Sequence, residues 1–233
     1  MKHILTACIL LLNHGGIAQN NKWFVSLSSD FVIAGPGAAL KQKMLRQGFD
    51  DDNSFYFLFI GWTEVNPKKL SYGGLKIRGG KKISGHRSLY FVAGLAEDAE
   101  VRGFRSSGYS NTIIGGGSYG SAVSIRYSLW QLSAGYMYSS KNKLKLGFGP
   151  SVFLLSYKPN EEKRQASLVP GANFIARVPL GKEKKLLGME IVAEANLAPP
   201  ANINMVKQDV QGFKPGSVNM VYGSLGFAFC FRK

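Results

Sequence analysis

The sequence predicts an all-β protein, an eight-stranded antiparallel up-and-down barrel that crosses a membrane with its strands. Three observations lead there. The last segment, 221–231, alternates large apolar residues (Val221, Leu225, Phe227, Phe229, Phe231) with smaller ones (Tyr222, Ser224, Gly226, Ala228, Cys230). Successive side chains of a strand point to opposite faces, so one face is apolar and aromatic and the other small and weakly polar. The chain also opens with the parts of an export signal, and the connections between its strands alternate between short and long.

In the opening segment Lys2 supplies the positive end, residues 4–12 the apolar stretch, and Gly15-Gly16-Ile17-Ala18 a small-residue cleavage region. Residues 1–18 are therefore expected to be a removable signal peptide, leaving 19–233 as one barrel domain. Leu5-Thr6-Ala7-Cys8 offers a lipoprotein box, but too few residues precede Cys8 for an export segment. No run approaches the ~20 apolar residues of a membrane helix, so any spanning must be by strands. With Cys8 in the leader, Cys230 alone cannot form an intrachain disulfide.

Seven strands are expected before the closing one, at 22–33, 69–81, 88–104, 119–138, 143–157, 166–180 and 185–198. Each reaches the ~9–11 residues a tilted membrane strand needs. In the first, Trp23, Val25, Leu27, Phe31 and Ile33 oppose Ser26, Ser28 and Asp30. In the fourth, the alternation slips near Trp130, and a β-bulge is expected there. Short turns are expected at 82–87, 139–142 and 181–184, and longer connections at 34–68, 105–118, 158–165 and 199–217. The first long loop, 34–68, is expected to hold a short helix at 36–47, with Leu40 and Met44 on one face and Pro36 in its first turn. The apolar run 55–62 in that loop is expected to be an extra strand pair above the membrane, a plug of the barrel mouth, a partner contact, or the true second strand.

Several short motifs fit this layout: Gly48-Phe49-Asp50-Asp51 after the helix, Gly73-Gly74-Leu75-Lys76-Ile77-Arg78 opening a strand, Leu146-Gly147-Phe148-Gly149-Pro150-Ser151, and Gly226-Phe227-Ala228-Phe229 near the end. With these the exported region resembles the small eight-stranded outer-membrane β-barrel proteins of Gram-negative bacteria. The resemblance implies an outer-membrane location, short periplasmic turns, long extracellular loops, and insertion by the barrel-assembly machinery. That machinery would read the aromatic ending Phe227, Phe229 and Phe231, although Arg232 and Lys233 follow it here.

The faces opposite the apolar stripes carry Asp30, Asp98, Glu100, Glu190 and Glu194 against Lys76, Arg78, Arg102, Arg126, Lys145 and Arg177. An eight-stranded barrel is only wide enough for side chains to fill, and unpaired charge inside it is costly. These groups are expected to pair into a closed interior network, with a narrow ion path as the alternative. The net charge of +15 concentrates at the short-turn end in Lys81, Lys82, Arg87, Lys141, Lys143, Lys182, Lys184 and Lys185, where snorkelling to lipid headgroups is expected. Outer-membrane lipid is thus the expected partner, nucleic acid is not, and the chain is expected to be a monomer.

No cofactor, metal cluster, phosphate loop or nucleophile setting is expected. His86 lies in a short turn with no acidic neighbour, which ill suits a Ser–His–acid group. The expectation is a non-enzymatic structural or surface-interaction protein. The alternatives are a lipid-modifying enzyme and a secreted soluble barrel holding a small apolar ligand, which would need its apolar stripes inside.

Overall fold

The computed structural model describes residues 23–51, 63–64, 71–110, 117–140, 143–159, 163–181, 187–203 and 212–232. The leader 1–18 and the run 55–62 lie outside them. In chain order the elements are β1 (Trp23–Ile33), α1 (Pro36–Arg46), β2 (Asp50–Asp51), β3 (Thr63–Glu64), β4 (Ser71–Ser84), β5 (Arg87–Ser110), β6 (Gly117–Ser139), β7 (Lys145–Pro159), β8 (Gln165–Leu180), β9 (Leu187–Leu197), β10 (Ala201–Ile203), β11 (Gly216–Val218) and β12 (Tyr222–Arg232).

Eight antiparallel strands form a closed ring in the order β5-β4-β1-β12-β9-β8-β7-β6, with β6 returning to β5. The first and last long strands pair with each other, Phe24 opposite Arg232 and Ile33 opposite Gly223, and this seals the sheet. The register is staggered. Stepping across paired residues from Trp23 through Lys81, Leu89, Tyr136, Phe148, Phe174, Ala195 and Gly223 returns to β1 at Ile33, ten residues above the start (33 − 23). Closure of a barrel requires this tilt and shear.

The alternation of β1 and β12 translates directly into faces. Leu27, Phe31, Leu225, Phe227 and Phe229 point out of the barrel and are exposed, while Ser26, Ser28, Asp30, Ser224, Ala228 and Cys230 point in and are buried. The β4–β5 turn is tighter than the sequence suggests: the strands run to Ser84 and from Arg87, leaving only Gly85 and His86 between them. The 105–118 connection is shorter too, because β5 and β6 continue as a paired hairpin, Ser110 opposite Gly117.

The bulge expected at Trp130 is not there. The β6 pleat runs unbroken, with Val123, Ile125, Tyr127, Leu129, Gln131 and Ser133 all buried inside. What changes near Trp130 is polarity. Outside, Ser124, Arg126 and Ser128 give way to Trp130, Leu132 and Tyr136; inside, Val123 to Leu129 give way to Gln131 and Ser133. The register shift lies on the neighbouring strand, between Leu95 and Glu97 of β5. An extra residue flips every later side chain to the other face. Tyr90 and Val92 are therefore buried below it, and Glu97, Ala99 and Val101 above it.

The barrel accordingly has two tiers. In the lower tier, toward the short turns, the outside is apolar and the lumen polar. In the upper tier, built mainly by β5–β8, the outside is polar and the inside is a mainly apolar core of Val101, Ile125, Leu129, Phe153, Leu155 and Tyr157. Helix α1 fills that core. Pro36 starts it, Ala38 and Ala39 with a run of long unbranched side chains suit it, and Lys43 and Arg46 lie in its last turn, where cations favour the helix dipole. Gly48, at φ 79°, turns the chain away. Leu40 and Met44, one turn apart, are fully buried with Phe49 and with Phe213 from the 199–217 loop. The ring of Phe213 meets Phe49 edge-on at 5.6 Å, and the β10–β11 hairpin adds Ala201, Ile203 and Val218.

Candidate functional site

The lower lumen gathers polar side chains from five strands, each placed by the two-residue pleat. Ser26, Ser28 and Asp30 come from β1, Lys76 and Arg78 from β4, Arg177 from β8, Glu190 and Glu194 from β9, and Ser224 and Cys230 from β12. All are buried.

Two ion clusters result. In the first, Arg78 Nε donates to Glu194 Oε1 at 2.7 Å and Nη2 to Asp30 Oδ2 at 2.5 Å, with Nη1 on Ser28 Oγ. Lys76 Nζ donates to Glu194 Oε2 at 2.8 Å and pairs with Asp30 Oδ2 at 3.1 Å. Ser28 and Ser224 add hydroxyl bonds to Asp30 at 3.0 and 3.3 Å. Two cations against two carboxylates leave the quartet neutral. In the second, Arg177 Nε meets Glu190 Oε2 at 2.7 Å, and its Nη2 reaches Ser26 Oγ and Cys230 Sγ. Its guanidinium lies 4.4 Å from the centre of the Phe24 ring. Lys145, partly exposed, approaches Glu190 at 3.4 Å.

A neutral hydrogen-bonded ladder lies beside the ions. Tyr222 donates to Gln131, Gln131 to Ser133 and Asn196, Asn173 to Asn196, and Tyr90 to Asn173. Ser133 and Ser151 meet at 2.8 Å. These groups need partners because burial removes their water. Charge counting along the strands overlooked them, together with the serines that support Asp30. The signal was present in the Ser26–Ser28–Asp30 alternation. Gln131 and Ser133 were obscured by the polarity switch at Trp130.

Four residues expected in this network are elsewhere. Asp98, Glu100, Arg102 and Arg126 lie on the outer face of the upper tier, because the Leu95/Glu97 shift reverses the face of β5 and because β6 never slips. There Arg102 Nε donates to Glu100 at 3.0 Å, Arg126 Nε at 3.2 Å, and Ser124 Oγ at 2.5 Å. Burial works against ionisation of Glu100, but the bonds from Arg102, Ser124 and Arg126 outweigh it and hold its carboxyl below the ordinary value. Burial pushes Asp98 up, against the Ser128 hydrogen bond at 2.8 Å and the Arg164 charge. The inward residues at this level are Glu97 and Lys41, both fully buried. Lys41 Nζ donates to the Arg102 carbonyl at 2.5 Å, tying α1 to β5.

At the short-turn end Lys82, Arg87 and Lys143 are exposed, and Lys81 lies 5.4 Å from the centre of the Trp23 ring. Lys141, Lys182, Lys184 and Lys185 lie outside the described residues. Phe227, Phe229 and Phe231 form an exposed outward stripe on β12. His86 Nδ1 is 3.0 Å from the Ser139 carbonyl, and its ring lies against Tyr138; it joins two neighbouring turns.

Fold and lumen together define an eight-stranded antiparallel β-barrel, apolar outside and ion-paired inside over its lower tier. No family model matches the chain, and no curated protein does. Similar solved structures include Ail, the attachment invasion locus protein of Yersinia pestis, and the same protein in complex with the heparin analogue sucrose octasulfate. Each is 7% identical and covers 91% of this chain and 97% of its own, with TM-scores of 0.40 and 0.39. At those values the likeness bears on nothing beyond itself, and the barrel rests on its strand register.

Proposed function

We propose that the protein is an outer-membrane β-barrel with a closed polar lumen and a non-enzymatic structural or surface-interaction role. The polarity inversion carries this reading. The outward row Leu95–Trp130–Leu154–Leu168 is apolar, and the next outward row above, Asp98–Ser128–Ser156–Ala166, is mostly polar. Below the boundary, residues such as Leu75 (59% exposed), Leu132 (61%) and Phe227 (52%) ring the barrel. Soluble monomers rarely expose a contiguous apolar surface of this extent, whereas lipid accommodates it. A soluble ligand-binding barrel would turn these residues inward.

The upper tier, mainly apolar inside and polar outside, has the organisation of a water-exposed domain. With α1 and the long β5–β6 hairpin it is the part positioned to meet other molecules at the cell surface. The short-turn end then faces the periplasm. There Lys81, Lys82, Arg87 and Lys143 reach anionic headgroups. In the same reading the leader 1–18 directs export, and the Phe227–Phe229–Phe231 stripe is the feature read during insertion.

Membrane fractionation combined with cold and boiled gel mobility of the detergent-extracted chain tests the proposal. An outer-membrane band that migrates faster before boiling is expected. A chain that is soluble without detergent would overturn the reading.

A further inference from the structure

A furrow of about 600 Å³ crosses the outer wall over β6, β7 and β8. That volume is within the ~300–1,000 Å³ of small-ligand sites. Tyr136, Tyr138, Leu146, Phe148 and Phe174 line it, and Arg87 stands at its lower end. The relief comes from two neighbouring outward rows. Tyr136, Phe148 and Phe174 form an aromatic ridge, with the last two rings 4.7 Å apart, whereas the row Tyr138–Leu146–Ala176 falls away to a methyl group. Because paired rows climb as they pass from β5 to β8, the furrow is oblique. Arg87, the first residue of β5, is at the edge of the apolar belt, and Phe174 is deep within it.

Arg87 is exposed, and no carboxylate pairs with it among the described residues. Its turn is joined to the next by the Ser139 N–H on the His86 carbonyl, and that next turn carries the exposed Lys143. The lower end of the furrow is therefore cationic and its length apolar. We infer that the furrow holds one anionic phospholipid, with its phosphodiester on the Arg87 guanidinium and an acyl chain lying along the ridge toward Phe174. Arginine suits a phosphodiester because its planar fork bonds two oxygens at once. The fixed aromatic ridge gives the chain a shaped surface, which matters in a bilayer, where apolarity alone does not discriminate between surfaces.

This inference rests on the membrane reading above. The test uses the full chain in mild detergent, titrated with phosphatidylglycerol or phosphatidylcholine of identical acyl chains and read by native mass spectrometry. One phosphatidylglycerol per barrel should be retained at lower concentration than phosphatidylcholine. Arg87→Gln should weaken phosphatidylglycerol about five-fold, the size expected for one interfacial cation, and phosphatidylcholine less, because choline's own cation offsets the phosphodiester charge that both lipids present to Arg87. Phe148→Ala should weaken both. Heat-dependent gel mobility verifies that each variant is folded. Equal retention of the two lipids by the wild type, or folded variants that bind as the wild type does, would overturn the inference while leaving the membrane reading in place. A chain that fractionates as soluble would remove both.

Discussion

Arg78 and Glu194 meet across the lumen. They belong to β4 and β9, which are separated in the sheet by β1 and β12, yet Arg78 Nε and Nη2 lie 2.7 and 2.6 Å from the same carboxylate oxygen. Their strands come together only when the ring closes, so the contact is a property of the whole barrel. Lys76 and Asp30 complete the neutral set, which leaves each charge of the quartet beside an opposite one.

Glu194→Gln breaks that balance. It leaves Lys76 and Arg78 facing Asp30 alone, and an uncompensated buried charge costs about 3–5 kcal/mol. The urea midpoint of the gel-mobility transition should fall accordingly. The double variant Arg78→Met/Glu194→Leu removes one charge of each sign and should recover most of the loss. A single variant as stable as the wild type would show that the quartet carries no structural weight.

The tier boundary makes opposite demands on two outward positions of the same strand. Leu132 lies in the apolar belt and Ala122 on the polar upper wall. Leu132→Arg should destabilise the folded barrel by about 1–3 kcal/mol, between the cost of a lipid-facing cation at the bilayer midplane and that near the interface, because Leu132 is one outward row below Trp130. Ala122→Arg should change stability by less than about 0.5 kcal/mol, as surface substitutions do. Equal effects measured in lipid vesicles would contradict the two-tier arrangement.

The lower tier was legible in the sequence because there the apolar face means outside all the way round. Ser26, Ser28 and Asp30 against Leu27 and Phe31 suffice to orient β1, the neighbouring β4 brings Lys76 and Arg78 to Asp30, and closure then adds Glu194. The upper tier was not, for the same reason inverted. On β6 the apolar set moves from Ile125 and Leu129 inside to Leu132 and Tyr136 outside with no break in the pleat, so a period-2 reading invents a slip. On β5 the real shift falls between Leu95 and Glu97, where Ala96 carries no polarity to reveal it. Periodicity reports which residues share a face; what that face touches depends on α1, Phe49 and Phe213 filling the mouth, which are distant in sequence.

Helix α1 is held by packing and by the Lys41 tie to β5, and Leu40→Asp should release it. The new carboxylate would be buried in the apolar cluster around Leu40, costing several kcal/mol. The helix can leave without opening the ring, because none of the barrel pairings passes through it. Limited proteolysis should then cut within residues 36–47 while the gel shift on boiling persists. A helix as resistant as in the wild type would mean that Leu40 contributes little to docking.

Glu100 should make the upper wall acid-sensitive. Its hydrogen bonds from Arg102, Ser124 and Arg126 hold its folded pKa below the ordinary value of 4.5 despite partial burial. A carboxyl lowered by folding stabilises the folded form fully above its unfolded pKa, and that contribution disappears as pH falls through the folded value. The charge pairs with Arg102 and Arg126 are part-exposed, so salt should weaken the effect. Amide protection factors for the paired residues around Glu100 and Arg126 should therefore drop as pH is lowered from 6 toward 3, relative to amides beside Leu132 in the belt. Glu100→Gln, which cannot ionise, should start with lower protection at pH 6 and show a flatter profile. A variant whose protection falls with acid as steeply as the wild type would assign the sensitivity to another group, with Asp98, whose pKa is shifted the opposite way, excluded by the direction of the change.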